Sequence, residues 1–190
     1  MTTTDSHFHN QHPAIVATRR WLEDVVIGLN LCPFAHKPNR QGLIDLVVSE
    51  AEREEEVLLD LQSQMQRLDQ TPANQLETVV LVISNCLQDF ADYNQFLDWV
   101  DSLIEQFDWQ GIYQVASFHP DYQFGGTLPE DAENLTNRAP YPLLHIIRED
   151  SMEKALASYP DSDKIPETNI ARVSSLTEAE VAKLFPYLNR

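Results

Sequence analysis

Thr78-Val79-Val80-Leu81-Val82-Ile83 contains no charge and no helix breaker. A mostly β-branched run without polar alternation has no face to offer water, so it predicts a central strand covered on both sides. Helical patterns bracket it. Upstream, Val57, Leu58, Leu61, Met65 and Leu68 recur at helical spacing, with Arg53, Glu54, Glu55 and Glu56 on the solvated side. Downstream, from about Gln88 to Phe107, an apolar face carries Tyr93, Phe96, Leu97, Val100, Leu103, Ile104 and Phe107. Leu43 to Val48 and Ile112 to Phe118 read as two further strands. Strands alternating with helices predict right-handed parallel crossovers. A fourth apolar run, Leu143 to Ile147, follows an irregular loop and is expected to run antiparallel. The expected fold is α/β, a single domain with a mixed sheet of about four strands, the first three parallel, and covering helices.

The flanks complete this outline. Residues 1–12 form a polar leader containing His7, His9 and His12, and residues 13–190 the single domain. Pro13 suits the first turn of a helix. Ile15, Leu22, Val26 and Leu29 carry that helix to about Leu31, before Pro33 stops it. Two capping boxes are expected, Ser49 to Glu52 and Thr177 to Glu180. Further short helices are expected after Ser151 and around Glu167 to Val173.

Charge narrows the partners. The chain holds 30 acidic and 13 basic residues, a formal charge of -17. Phosphate-tracking surfaces need clustered Lys and Arg, so nucleic acid and anionic membrane are not expected partners. An anion site would have to be local and built from particular arginines. No apolar run approaches the roughly 18 residues of a membrane span. The first residues lack the basic and apolar regions of a secretory signal, and Cys32 and Cys86 are read as thiols. The cytoplasm is the expected compartment.

The polar chemistry gathers between Phe118 and Leu143, a stretch without sustained periodicity. Loops of that length in a domain are commonly functional. In open parallel sheets ligands bind beyond the carboxyl ends of the strands, where His119 and Asp121 leave the third strand. An imidazole is the natural proton carrier near neutral pH, and a carboxylate two residues away can fix its tautomer. Asn137 and Arg138 return to the same edge, and a guanidinium binds a carboxylate or phosphate bidentately. Tyr141 lies in the proline-bound segment before the returning strand, His145 within that strand and Arg148 just after it. The alternatives are bland: an Asp121 that caps the loop, a His119 that satisfies a strand end, a satisfied core His145, and arginines paired with neighbouring acids. Cys32 sits behind a helix C-terminus, where carbonyls would raise a thiol pKa. His119, Asp121, His145 and Cys32 offer mixed metal ligands, but no spacing supports a metal, and no cofactor signature appears.

Three segments resemble one family. Gly28-Leu29-Asn30-Leu31-Cys32-Pro33-Phe34-Ala35 is the first, and Val115-Ala116-Ser117-Phe118-His119-Pro120-Asp121-Tyr122-Gln123-Phe124 the second. The third runs Asn134-Leu135-Thr136-Asn137-Arg138-Ala139-Pro140-Tyr141-Pro142-Leu143-Leu144-His145. Together they resemble a bacterial family described as domain of unknown function fourteen-fifteen, over about Ala14 to Val173. The resemblance implies a stand-alone one-domain protein and carries no activity, cofactor or catalytic residue with it.

These readings lead to a small-molecule enzyme with hydrolase-like acid–base chemistry on an anionic or carbonyl substrate. His119 would carry the proton, Asp121 orient it, and Cys32 serve as nucleophile or metal ligand. Asn137, Arg138, Tyr141, His145 and Arg148 would bind the substrate. The alternative is a non-catalytic metabolite-binding or regulatory module using the same loop. Oligomeric state is left open.

Overall fold

The computed structural model describes residues 12–188. Helix α1, Pro13–Trp21, starts with Pro13 in its first turn, and the His12 ring accepts the Ala14 N–H at 3.2 Å. His7 and His9 lie outside the described residues. The helix runs on through one wider-wound segment, Leu22–Ile27, so it ends four residues before the expected Leu31. A short helix α2, His36–Arg40, leads into strand β1, Ile44–Ser49. Helix α3, Glu54–Gln70, strand β2, Thr78–Ile83, helix α4, Phe90–Gln106, and strand β3, Tyr113–Phe118, follow. A single-turn helix, Ala132–Thr136, interrupts the long loop before strand β4, Leu143–Arg148. Helices α5, Glu149–Ala157, α6, Ile165–Ser174, and α7, Glu178–Leu184, close the chain.

The sheet order is β1-β2-β4-β3. Only β1 and β2 pair in parallel, with Leu46 opposite Val80. β4 pairs antiparallel with both β2 and β3, and His145 stands opposite Val80 on one side and Ala116 on the other. The expected antiparallel fourth strand is therefore present, but the expected block of three parallel neighbours is corrected. The returning chain takes the slot beside β2 and pushes β3 to the edge. Two antiparallel steps still leave β3 pointing the same way as β1 and β2. All three thus deliver their carboxyl ends to one side of the sheet.

Every β2 residue is buried, as an uninterrupted apolar run requires. Val79, Leu81 and Ile83 face a cluster built with Val57, Leu61, Met65 and Leu68 of α3 and Tyr93, Phe96 and Val100 of α4. Val80 and Val82 face the other cluster, where Ile15, Trp21, Leu22 and Val25 meet Leu143, Val173 and Phe185. Phe107, expected inward, is 36% exposed because α4 ends one residue before it.

One expected cap is present and the other is not. Thr177 and Glu180 form the reciprocal pair that starts α7. Ser49 instead ends β1 and donates to Asp60 Oδ2 at 2.6 Å, and α3 begins only at Glu54. Pairing Ser49 with Ile83 in the sheet outcompetes the local cap. Among the described residues no helix is long and apolar enough to cross a membrane.

Candidate functional site

Beyond the carboxyl end of β3 the chain makes one more antiparallel exchange. His119 N–H donates to Asn137 O at 3.2 Å, and Ala139 N–H donates back to His119 O at 3.3 Å. The two ends of the long loop are thereby tied together. Asn137 tightens the knot by donating from Nδ2 to Ser117 O at 3.1 Å. His119 and Asn137, grouped on sequence grounds, are brought together, and the contact is made through the backbone.

The His119 side chain is fully buried against two rings of α4, with centroids 5.3 Å from Phe90 and 5.1 Å from Tyr93. Both ring nitrogens are committed. Nδ1 accepts the Asp121 backbone N–H at 3.0 Å, so Nε2 carries the proton and donates to Leu87 O at 3.1 Å. Burial holds its pKa below the ordinary histidine value, which the Leu87 bond and the Asp121 charge only partly offset. The expected carboxylate–imidazole bond is thus replaced: Asp121 orients the ring through its amide. Leu87 adopts a left-handed φ of 55° to present its carbonyl, a conformation a branched side chain holds only when its surroundings require it.

Arg138 leaves this edge in another direction. Its Nε donates to Tyr122 O at 3.2 Å and Nη2 to Pro129 O at 2.6 Å. Its own carbonyl accepts the Trp21 indole N–H at 2.9 Å and the Tyr187 hydroxyl at 3.1 Å. Partial burial pushes the guanidinium pKa down, and Asp121 is the first of the charges that oppose this. No ion pair joins Arg138 to any carboxylate among the described residues.

The loop is ordered by a residue the sequence reading did not single out. Asn134 is fully buried; its Oδ1 accepts Phe124 N–H at 3.0 Å and the Thr127 hydroxyl at 2.9 Å, and its Nδ2 donates to Leu128 O at 2.7 Å. One amide therefore fixes both flanks of the Gly125-Gly126 turn. Its partners lie six to ten residues away, so no short motif marks it. Trp21 and Tyr187 were missed for a similar reason, being 117 and 49 residues from the carbonyl they bind.

The remaining expected residues lie apart. His145 points to the Val80 face in mid-strand, with Nε2 2.7 Å from Thr78 Oγ1. The Thr78 hydroxyl donates to Ile146 O, so Nε2 bears the hydrogen; burial drops this pKa to about 4. Tyr141 packs partly buried against the second cluster. Arg148 stands opposite Tyr113, the first residue of β3. At about 3.3 Å per residue that is ~17 Å from the His119 end. Cys32 follows Leu31, which belongs to the cluster on the face away from Phe90 and Tyr93. Burial raises the Cys32 thiol pKa, while the Phe34 and Ala35 backbone N–H groups lower it; burial, and not the helix carbonyls expected above, is the dominant cause. Cys32 and Cys86 are both free thiols. Among the described residues no three His, Cys, Asp or Glu side chains form a group that could hold a metal ion.

No curated protein and no solved structure matches the chain. The Cys32 segment and both paired ends of the loop lie inside residues 13–183, the span matched by the family model described as protein of unknown function (DUF1415). The chain belongs to that family.

Proposed function

We propose that this chain is a small-molecule-binding module whose site is the polar loop beyond the carboxyl end of β3, with Arg138 as the ligand-facing group. The observation that carries this reading is the contrast between two neighbours. His119 has spent both ring nitrogens on backbone partners, whereas Arg138 keeps most of its donors and has no counter-ion among the described residues. A proton carrier must release and accept a proton at an atom that substrate reaches. The buried imidazole has no such atom. Non-catalytic recognition therefore fits this edge better than the acid–base hydrolase chemistry expected from sequence. Within this reading Asn137 and His119 hold the loop, Asp121 sets its local charge, and the domain spanning residues 13–190 serves as scaffold.

The test is a thermal-shift screen of the full chain against common metabolites, with each hit recovered and checked by mass spectrometry. A stabilising compound recovered unchanged, whose effect vanishes in Arg138→Gln, supports the module. Turnover of a hit that survives in Arg138→Gln but is lost in His119→Gln would return the protein to the enzyme reading.

A further inference from the structure

The sheet ends in two edges, β1 and β3, and the chain treats them differently. The β3 edge is guarded. Ile112 O takes Glu149 N–H at 2.9 Å on the β4 side, so Tyr113, Val115 and Ser117 turn their backbone groups outward. Tyr113 N–H is spent on Trp109 O at 3.0 Å, and Ser117 O accepts Asn137 Nδ2 at 3.1 Å. The chain itself thus closes both ends of that edge.

The β1 edge is open. Thr78 N–H donates to Leu43 O at 3.3 Å and Ser84 N–H to Ser49 O at 3.1 Å, so the odd-numbered residues of β1 bond to β2. Ile44, Leu46 and Val48 point theirs the other way. Their three N–H groups and three carbonyls have no hydrogen-bond partner among the described residues. Edge strands are commonly defended by lysine, proline, a bulge or a covering segment. Ile44–Ser49 has neither lysine nor proline, and its register with β2 runs without a bulge. Its one charge, Asp45, is already paired with Arg67 at 2.7 Å. Leu46 packs in one cluster and Val47 against the other, so both faces are in use and only the edge is left to bond.

We propose that two copies of this chain join through β1, antiparallel and two-fold symmetric about Leu46, doubling the four-stranded sheet. A two-fold axis brings the same strand back in the opposite direction. With Leu46 opposite its own copy, Ile44 stands opposite Val48 of the partner subunit. Each such pair exchanges two hydrogen bonds, so every open group on both copies finds a partner. Branched aliphatic side chains meet at all of these pairs. Asp45 falls opposite Val47 of the partner subunit, so like charges do not face each other directly. A foreign peptide must first be ordered to make these bonds, whereas a second β1 is already held extended by β2.

Sedimentation of the full chain tests this. The formal charge of -17 on each copy opposes association, so the salt is physiological, where charges beyond about 8 Å are screened. The weight-average mass is expected to rise from 21.8 kDa toward twice that value between about 1 µM and about 1 mM. Val48→Pro removes an outward donor but no bond to β2, and should weaken association at least about tenfold. Val115→Pro makes the same change on the β3 edge and should leave association within about twofold. Should Val48→Pro not fold, amide exchange in the wild type decides. The N–H groups of Ile44, Leu46 and Val48 should slow at least about tenfold on concentration, while that of Val47, bonded to β2 in either state, changes far less. A chain still monomeric at about 1 mM overturns the proposal. So does a dimer dissolved by Val115→Pro and not by Val48→Pro. Slow exchange at Ile44, Leu46 and Val48 that dilution leaves unchanged also overturns it, since a segment of the same chain would then cover the edge.

Discussion

Two arginines stand at opposite ends of the same sheet and are used in opposite ways. Arg148 closes the amino end. Its Nη2 donates to the carbonyls of Leu68, Thr71 and Leu76, where α3 ends, and its guanidinium lies 5.8 Å from the Tyr113 ring centroid. Asp69 completes the knot by accepting from Trp109 Nε1 at 2.9 Å and from Tyr113 at 2.7 Å. Burial, then the Asp69 hydrogen bond, pushes the Tyr113 pKa up to about 12. A cation among the last carbonyls of a helix also meets the negative end of its dipole. Arg138 closes nothing of comparable size, binding two carbonyls of a loop. The difference teaches that residue type alone does not mark a binding cation. What marks it is where the unused donors lie: the unpartnered Nε of Arg148 is buried, whereas among the described residues no buried atom of Arg138 lacks a partner.

The comparison is broken most directly at Arg148. Replacing it by Met leaves carbonyls of the α3 terminus without their donor in a partly buried place, and the charge-assisted bonds lost are worth about 1.5–3 kcal/mol. Urea unfolding of Arg148→Met is expected to lose on the order of 3 kcal/mol. A loss under about 1 kcal/mol would mean that the amino end is not anchored here.

Acid sharpens the same contrast, because the middle of the sheet holds a neutral imidazole. His145 has a folded pKa of about 4 against an ordinary 6.5. The unfolded chain therefore takes up the proton first. Stability from this group is complete above about pH 6.5 and is lost as pH falls toward 4, by about 3 kcal/mol in total at 1.36 kcal/mol per pH unit. His119 is shifted in the same direction and adds to the slope. In His145→Leu the Thr78 hydroxyl keeps its bond to Ile146 O, so the variant should show a shallower fall in unfolding free energy between pH 7 and pH 4.5. An unchanged slope would place the acid sensitivity elsewhere.

How far the sequence reached follows the same division. The strands were legible because Thr78 to Ile83 has no polar face, and α4 because Tyr93, Phe96 and Val100 recur on one side. The order of strands was not. Inserting β4 beside β2 depends on pairs such as Val80 with His145, and nothing local to either residue encodes that choice. The failed cap at Ser49 shows tertiary pairing overriding a local signal. At the site, the grouping of His119 with Asn137 was legible from topology, as two ends of one loop meeting at an edge. The roles were not, since donor use at His119 is set by Leu87, 32 residues away.

Asn134 ranks third. Asn134→Ala would leave the Phe124 N–H and the Leu128 carbonyl short of their partner inside the loop, costing about 2 kcal/mol. Because the loss is local, amide exchange should accelerate in residues 124–128 before it does in β2. Uniform acceleration across the sheet would show that the loop and core unfold as one unit.

The smallest expected effect decides most. Arg138→Gln removes two hydrogen bonds, but the one to Pro129 is exposed and the one to Tyr122 is only partly buried. Water can replace the lost donor at the first carbonyl and to some extent at the second, so little desolvation penalty remains. Removing a half-buried charge that has no counter-ion among the described residues also relieves a cost, which offsets the lost bonds. The carbonyl of residue 138, which binds Trp21 and Tyr187, survives any side-chain change. The expected loss is under about 1 kcal/mol, a shift of roughly 2–4 °C in melting temperature for a domain of this size. Arg148→Met, measured alongside, should fall several times further. If the two variants instead lose equal stability, Arg138 is a structural clip like its counterpart, its unused donors are incidental, and the loop has no claim to a ligand.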